Sequence, residues 1–214
     1  MELAKDIKDK LKFIPNHVRI VAATKYVEAE EMKQLFSVGI HHFGENRVDS
    51  FLRKYEALKD EDIHWHFIGH LQTNKAKQVL SKIEVLHSLD SLKLADIIEK
   101  ERSTPLDCFI EVNINHEESK DGIFEEECED FLKKLQSYSK VNVVGFMMMT
   151  MKDSTKEEKQ KQFIHLKQLM LHMNEKLGVD MRQLSMGMSD DYIEAISSGA
   201  TTVRLGRMLW CQEK

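Results

Sequence analysis

The sequence predicts an α/β chain folded as a single (β/α)8 TIM-type barrel with an extra N-terminal helix, and three observations carry that prediction. Short apolar, β-branched runs alternate with helical stretches about eight times, and no long linker interrupts the alternation. Gly39, Gly178 and Gly199 each close a helical pattern just before a strand pattern. Glycine suits that joint because the left-handed backbone ending a helix strains a residue with a Cβ. A chain of 214 residues, 42% hydrophobic and 31% charged, suits one core, so one domain is expected over 1–214.

The strands are read in order as VRIVAA from Val18, HHF from His41, HWHFI from His64, EVLHSL from Glu84, LDCFIEVNI from Leu106, VNVVGFM from Val141, MRQLS from Met181 and TTVRLG from Thr201. Pro15 and Pro105, the only prolines, stand just before two of them as punctuation. The clearest helix spans about Thr155 to Leu177, where Phe163, Leu166, Leu169, Met170, Met173 and Leu177 recur at helical spacing between charges. A doubly wound open sheet is the alternative. Its dinucleotide-binding form wants G-x-G-x-x-G after the first strand, where this chain has ATKYVEAEE.

Composition narrows the partners. Net charge is −5, with Lys and Glu interspersed rather than blocked, which argues against nucleic acid. No apolar run approaches the roughly 20 residues of a membrane span, and MELAKDIKDKLKF lacks a signal-peptide core, so the cytoplasm is the expected compartment. Cys108, Cys128 and Cys211 are odd in number and far apart, and read as structural thiols.

In such a barrel, chemistry gathers where strands end and loops lead into helices. The first strand runs out in Ala22-Ala23-Thr24-Lys25, which offers an amine to the barrel mouth. A partly desolvated lysine there would attack a carbonyl, although a lysine just past a strand is more often simply solvated. Near the other end, Ser185-Met186-Gly187-Met188-Ser189 offers hydroxyls and backbone N–H groups to an anion, with Ser189 equally readable as a helix cap. Val203-Arg204-Leu205-Gly206-Arg207 supplies the neighbouring loop, where Gly206 permits close backbone approach. Asn46 in Gly44-Glu45-Asn46-Arg47 places an amide at the mouth. His64, His66 and His70 raise a metal site, but without a carboxylate or thiolate partner they read as polar or packing residues. Met147-Met148-Met149 reads as adaptable core filling, one of them able to touch a planar ligand.

Taken together, Lys25 after VAAT, GENRV at Gly44, WHFIGHLQTNK at Trp65, VNINHEESKDG at Val112, GFMMM at Gly145, LSMGMSDD at Leu184 and TTVRLG at Thr201 resemble the pyridoxal phosphate homeostasis proteins (YggS/PROSC family), in that family's order and over nearly the whole chain. The resemblance implies a barrel like the N-terminal domain of alanine racemase, of PLP fold-type III, with pyridoxal 5′-phosphate (PLP) as cofactor and a Schiff base on Lys25. It further implies that Ser185 and the Gly206 backbone hold the phosphate, with Ser189 as a further contact. Arg204 would face the pyridine nitrogen, and Asn46 and Met147 would line the cofactor. Two features depart from the family: Arg207 replaces a small hydroxyl residue after the final glycine, and the chain ends MLWCQEK.

An arginine at the ring nitrogen discourages its protonation and weakens the ring as an electron sink. Alanine racemase works with such an arginine but takes its second acid/base from a further domain. Here only eight residues follow Gly206, and Tyr192 falls within a predicted helix, so no dedicated second base is evident. The resulting expectation is a monomeric, non-catalytic PLP carrier that buffers or delivers the cofactor, PLP-dependent apo-enzymes being the candidate recipients. A small PLP-dependent racemase is the alternative, and a cofactor-free interaction scaffold is disfavoured.

Overall fold

In the computed structural model, which describes residues 1–117 and 121–211, the apolar runs become eight parallel strands in the unbroken order β1 to β8, closed by pairing of β1 with β8. They are β1 (Arg19–Ala23), β2 (His42–Glu45), β3 (His64–Phe67), β4 (Val85–Leu89), β5 (Leu106–Glu111), β6 (Val141–Met147), β7 (Gln183–Met188) and β8 (Thr202–Leu205). Helices α1 (Ile7–Lys12), α2 (Ala29–Lys33), α3 (Val48–Ala57), α4 (Thr73–Leu80), α5 (Leu92–Glu101), α6 (Cys128–Leu135), α7 (Lys156–Leu177) and α8 (Tyr192–Ser197) precede and separate them. The (β/α)8 barrel with its additional N-terminal helix is therefore present, and the open sheet is excluded.

Period-two alternation sorts each strand into two faces. Phe43, Trp65 and Phe67 face outward, where the ring of Phe51 on α3 meets Trp65 and Phe67 edge-on. Inward-facing positions are more polar, and they build the site below. Helix α7 buries Phe163, Leu166, Leu169, Met170 and Met173 as its spacing predicts. Thr155 caps it by accepting from the Glu158 N–H, Glu158 reaches back to the Thr155 N–H, and Gly178 at φ +65° ends it. Gly39 and Gly199 also adopt positive φ, as expected at those joints.

Two local features decide what reaches the barrel mouth. Strand β7 runs on to Met188, with a shift in its register against β8 between Ser185 and Met188. It therefore outlasts the MRQLS run by three residues. At Gly145 on β6 a Cβ would lie 1.7 Å from the Gln183 carbonyl oxygen, so only glycine allows β6 and β7 to approach this closely. The chain ends are tied together by Leu3 bridging Trp210 and by the Cys211 N–H donating to the Glu2 carbonyl. That is the structural part of the unusual MLWCQEK ending. Its last three residues, like residues 118–120 of the VNINHEESKDG motif, lie outside the described residues.

Candidate binding site at the barrel mouth

Lys25 sits in the turn that follows β1, beyond Thr24, and is exposed. Its Nζ lies 4.6 Å from the centroid of the Tyr26 ring. The amine is solvated, the more frequent state of a lysine just past a strand, because β1 stops at Ala23 and the two following residues carry Lys25 out onto the rim. Behind the turn lies a buried ion pair. Lys54 on α3 bonds Glu45 at the end of β2 and donates to the Thr24 carbonyl at 2.7 Å, while the Thr24 hydroxyl donates to Glu45 Oε1 at 2.6 Å. Both charged groups are about fully buried, so the turn carrying Lys25 is held from below by partners that water does not reach.

Strands β1 and β8 are neighbours, and this brings Gly206 beside Ala23: a Cβ on Gly206 would come within 3.5 Å of the Ala23 carbonyl oxygen. The Ser189 hydroxyl accepts from the Gly206 N–H at 3.2 Å and from the Met208 N–H at 3.3 Å. Ser189 is not the cap of α8; Asp191 holds that position. Asp191 also accepts from the Met188 N–H and from the Thr150 hydroxyl, which fixes the β7–α8 turn. Arg207, the departure from the family pattern, pairs with Asp190 on the surface.

Ser185 lies elsewhere. It is fully buried, and its hydroxyl is occupied by Arg204 Nη1 at 2.7 Å and His87 Nδ1 at 2.8 Å. The expectation that Ser185 reaches a phosphate is therefore corrected; the extra length of β7 puts Ser189 at the rim and leaves Ser185 inside. Arg204, on β8, is buried in the barrel. Its Nη1 also donates to the Ser185 carbonyl and its Nη2 to the Met148 carbonyl at 2.9 Å. A guanidinium carries five N–H donors. Among the described residues three are engaged, which leaves Nε–H and one Nη2 proton. Burial pulls the Arg204 pKa down to about 10 against the opposing pull of Glu111 and Asp191, so it remains a cation at neutral pH.

Asn46 follows β2, with Gly69 packed so tightly against it that a Cβ there would sit 2.6 Å from the Asn46 carbonyl oxygen. The Asn46 Oδ1 atom is buried and has no hydrogen-bond partner among the described residues. Met147 is buried against Val85 and Phe109, beneath the mouth rather than at its surface. Tyr192 opens α8 and packs on the core.

Sequence reasoning missed two groups. Glu111, at the end of β5, is buried, and burial raises its carboxyl pKa to about 7, with Arg204 opposing and Asp121 and Asp90 reinforcing the shift. It has no distinct signal in the sequence, because the run LDCFIEVNI carries a second acid, Asp107, and continues past Glu111. The second is the pair His42 and His87, which flank His66, itself the polar packing residue its sequence suggests. His66 bonds both inside the barrel, whereas His64 pairs with Glu84 and His70 with Asp90.

Comparison with known proteins agrees with this geometry. The profile of the family described as alanine racemase, N-terminal domain, matches residues 4–213. A pyridoxal phosphate homeostasis protein of Aquifex aeolicus is 39% identical over 202 residues, covering 93% of this chain and 89% of that one. The structure of PipY from Synechococcus elongatus PCC7942, described with PLP bound, superposes with a TM-score of 0.91 at 27% identity, covering 97% of this chain and 99% of PipY. The alanine racemase of Bacillus anthracis shares the fold at a TM-score of 0.77 and 16% identity, and this chain covers 55% of it. The chain belongs to the alanine racemase N-terminal domain family and, within it, to the pyridoxal phosphate homeostasis proteins.

Proposed function

We propose that this chain is a single-domain PLP-binding protein of PLP homeostasis, which holds, buffers or delivers the cofactor and does not turn over substrate. The observation that carries this reading is the adjacency of β1 and β8. It brings the end of β1, two residues before Lys25, beside Gly206, whose N–H and that of Met208 converge on the Ser189 hydroxyl, while Arg204 lies buried on β8 with two donors unspent among the described residues. The orphaned Oδ1 of Asn46 fits the same group, because a ligand donor would satisfy it. Bound PLP supplies an aldehyde that captures amines and an electron-drawing ring.

In this reading Lys25 captures the aldehyde, the Ser189 to Met208 cradle takes the phosphate, Arg204 donates toward the ring nitrogen, and Asn46 lines the cofactor. Ser185 and Met147 act from behind, through Arg204 and through packing. A permanent cation at the ring nitrogen disfavours its protonation, which suits holding the cofactor better than carbanion chemistry. PipY, described with PLP bound, supports the choice of cofactor. Among the described residues no helix is long and apolar enough to cross a membrane, and all three cysteines are free. Burial pushes the Cys128 thiol up to about 12 and that of Cys108 higher still, which suits structural thiols in a reducing compartment. We place the protein in the cytoplasm as a monomer, with PLP-dependent apo-enzymes as recipients.

One observation favours a racemase instead: Glu111, with a pKa near 7, is a proton-transfer group at a strand end in the same barrel. Two measurements separate the readings. The loaded protein should reactivate an apo-enzyme while keeping free PLP low, and should exchange amino-acid α-protons no faster than free PLP does. Exchange at enzymatic rates that is lost in both Lys25→Ala and Glu111→Gln would overturn the carrier reading in favour of the racemase.

A further inference from the structure

Inside the barrel runs a row of side chains that cofactor binding does not account for. His42 Nδ1 lies 3.0 Å from His66 Nε2, His66 Nδ1 lies 2.8 Å from His87 Nε2, and His87 Nδ1 lies 2.8 Å from the Ser185 hydroxyl, which accepts from Arg204. The row joins β2, β3, β4, β7 and β8. Since β4 and β7 are not neighbours, the His87 to Ser185 bond crosses the lumen. His66, His87 and Ser185 are fully buried. His42 is partly exposed and lines a cavity of about 480 Å³, shared with Arg19, His17 and His41, so the row ends at solvent.

Hydrogen-bond arithmetic fixes the direction of this row. A neutral imidazole has one donor and one acceptor nitrogen, and a guanidinium only donates. These rings are neutral: burial, reinforced by neighbouring imidazoles and by Arg19, holds His42 at about 4 and His66 well below its usual range, and Arg204 adds to the effect on His87. Arg204 takes one lone pair of the Ser185 hydroxyl. Among the described residues the remaining hydrogen-bond partner of that hydroxyl is His87 Nδ1, so the hydroxyl proton goes there. His87 is then the Nε2–H tautomer and donates to His66, which by the same step donates to His42. Each dipole in the row turns its negative end toward the Arg204 cation. The opposite direction would leave the Ser185 proton without an acceptor in a dry interior.

We propose that His87, backed by His66 and His42, is a positioning residue that orders Ser185 as an acceptor and thereby aims the Arg204 guanidinium at the cofactor ring. The role in cofactor binding rests on the function proposed above; the order of the row belongs to the ligand-free chain. The closing experiment uses both. Two-bond ¹⁵N correlation of the histidine side chains in the ligand-free protein near neutral pH should show His42, His66 and His87 all as Nε2–H tautomers. PLP titration, read by affinity and by the visible band of the bound cofactor, should show His87→Phe weakened about tenfold with a shifted band, roughly one charged hydrogen bond's worth. His87→Asn, whose Oδ1 stands near the Nδ1 position, should recover most of both, and Ser185→Ala should match His87→Phe without adding to it.

An Nδ1–H tautomer at His87 in a protein that binds PLP would overturn the row alone, and needs no variant to fold. A folded His87→Phe with unchanged affinity and band would overturn the positioning role. Wild-type protein that shows the expected tautomers and binds no PLP would overturn the cofactor reading, and this role with it.

Discussion

Lys54 and Glu45 form an ion pair from which solvent is excluded, and Lys54 spends a second N–H on the carbonyl of Thr24, the residue before Lys25. Taking two charges out of water is costly, and the second Glu45 oxygen has no partner among the described residues. The pair therefore holds the rim turn in place more than it raises stability. Lys54→Met should destabilise the fold by about 3–5 kcal/mol in denaturant unfolding, because it leaves Glu45 buried and unpaired. Lys54→Met combined with Glu45→Leu should recover most of that loss in stability but not the PLP affinity. Additive losses in the double variant would count against a coupled pair.

Stability should rise from acid pH and level off above pH 7. The imidazoles of His42, His66 and His87 are held below their usual 6.5, so the stability they contribute is full above that value and is lost as pH falls. Glu111 is raised from 4.5 to about 7, so its contribution is full below 4.5 and is lost as pH rises through 7. Between these limits the unfolded chain binds three protons on the histidines against one that Glu111 holds in the folded state. Stability should accordingly climb on the order of 2 kcal/mol per unit from pH 5 to 6 and level off between pH 7 and 8, where the remaining histidine and Glu111 contributions nearly cancel. Urea unfolding across pH 5–8 tests this, and Glu111→Gln should steepen the climb between pH 5 and 6 by about 1.4 kcal/mol per unit.

The two serines should separate by ligand. Ser189→Ala should weaken PLP about five- to tenfold and leave the affinity for pyridoxal, which has no phosphate, unchanged. Ser185→Ala should weaken both, because it acts through Arg204. Equal effects of the two substitutions on pyridoxal would remove Ser189 from the phosphate cradle.

Much of the fold was legible because a barrel strand is a short apolar run between turn signals, and the glycines at 39, 178 and 199 mark the joints by backbone chemistry alone. The site was legible only in part. Met186-Gly187-Met188 reads as loop, yet β7 continues through it with Gly187 at φ +93°, and that extension carries Ser189 to the rim while Ser185 stays inside the barrel. The histidine row and the Lys54 to Glu45 pair join residues far apart in sequence or on different elements, and no local pattern encodes which side chains a closed barrel turns toward one another.

Gly145 tests the packing that makes this closure possible. Gly145→Ala would drive a methyl into the Gln183 carbonyl and should cost about 3 kcal/mol or more, while displacing the β6–β7 pairing on which Ser185 and the Met148 carbonyl depend. A variant of wild-type melting temperature would contradict that closeness.

The central claim is that Lys25 captures the cofactor at this rim. Borohydride reduction of the protein incubated with PLP, followed by peptide mass mapping, tests it most directly. The account predicts one stable PLP-sized mass increment on the peptide containing Lys25 and none in folded Lys25→Ala. An increment that persists in Lys25→Ala, or that maps to another lysine in the wild-type chain, would contradict it.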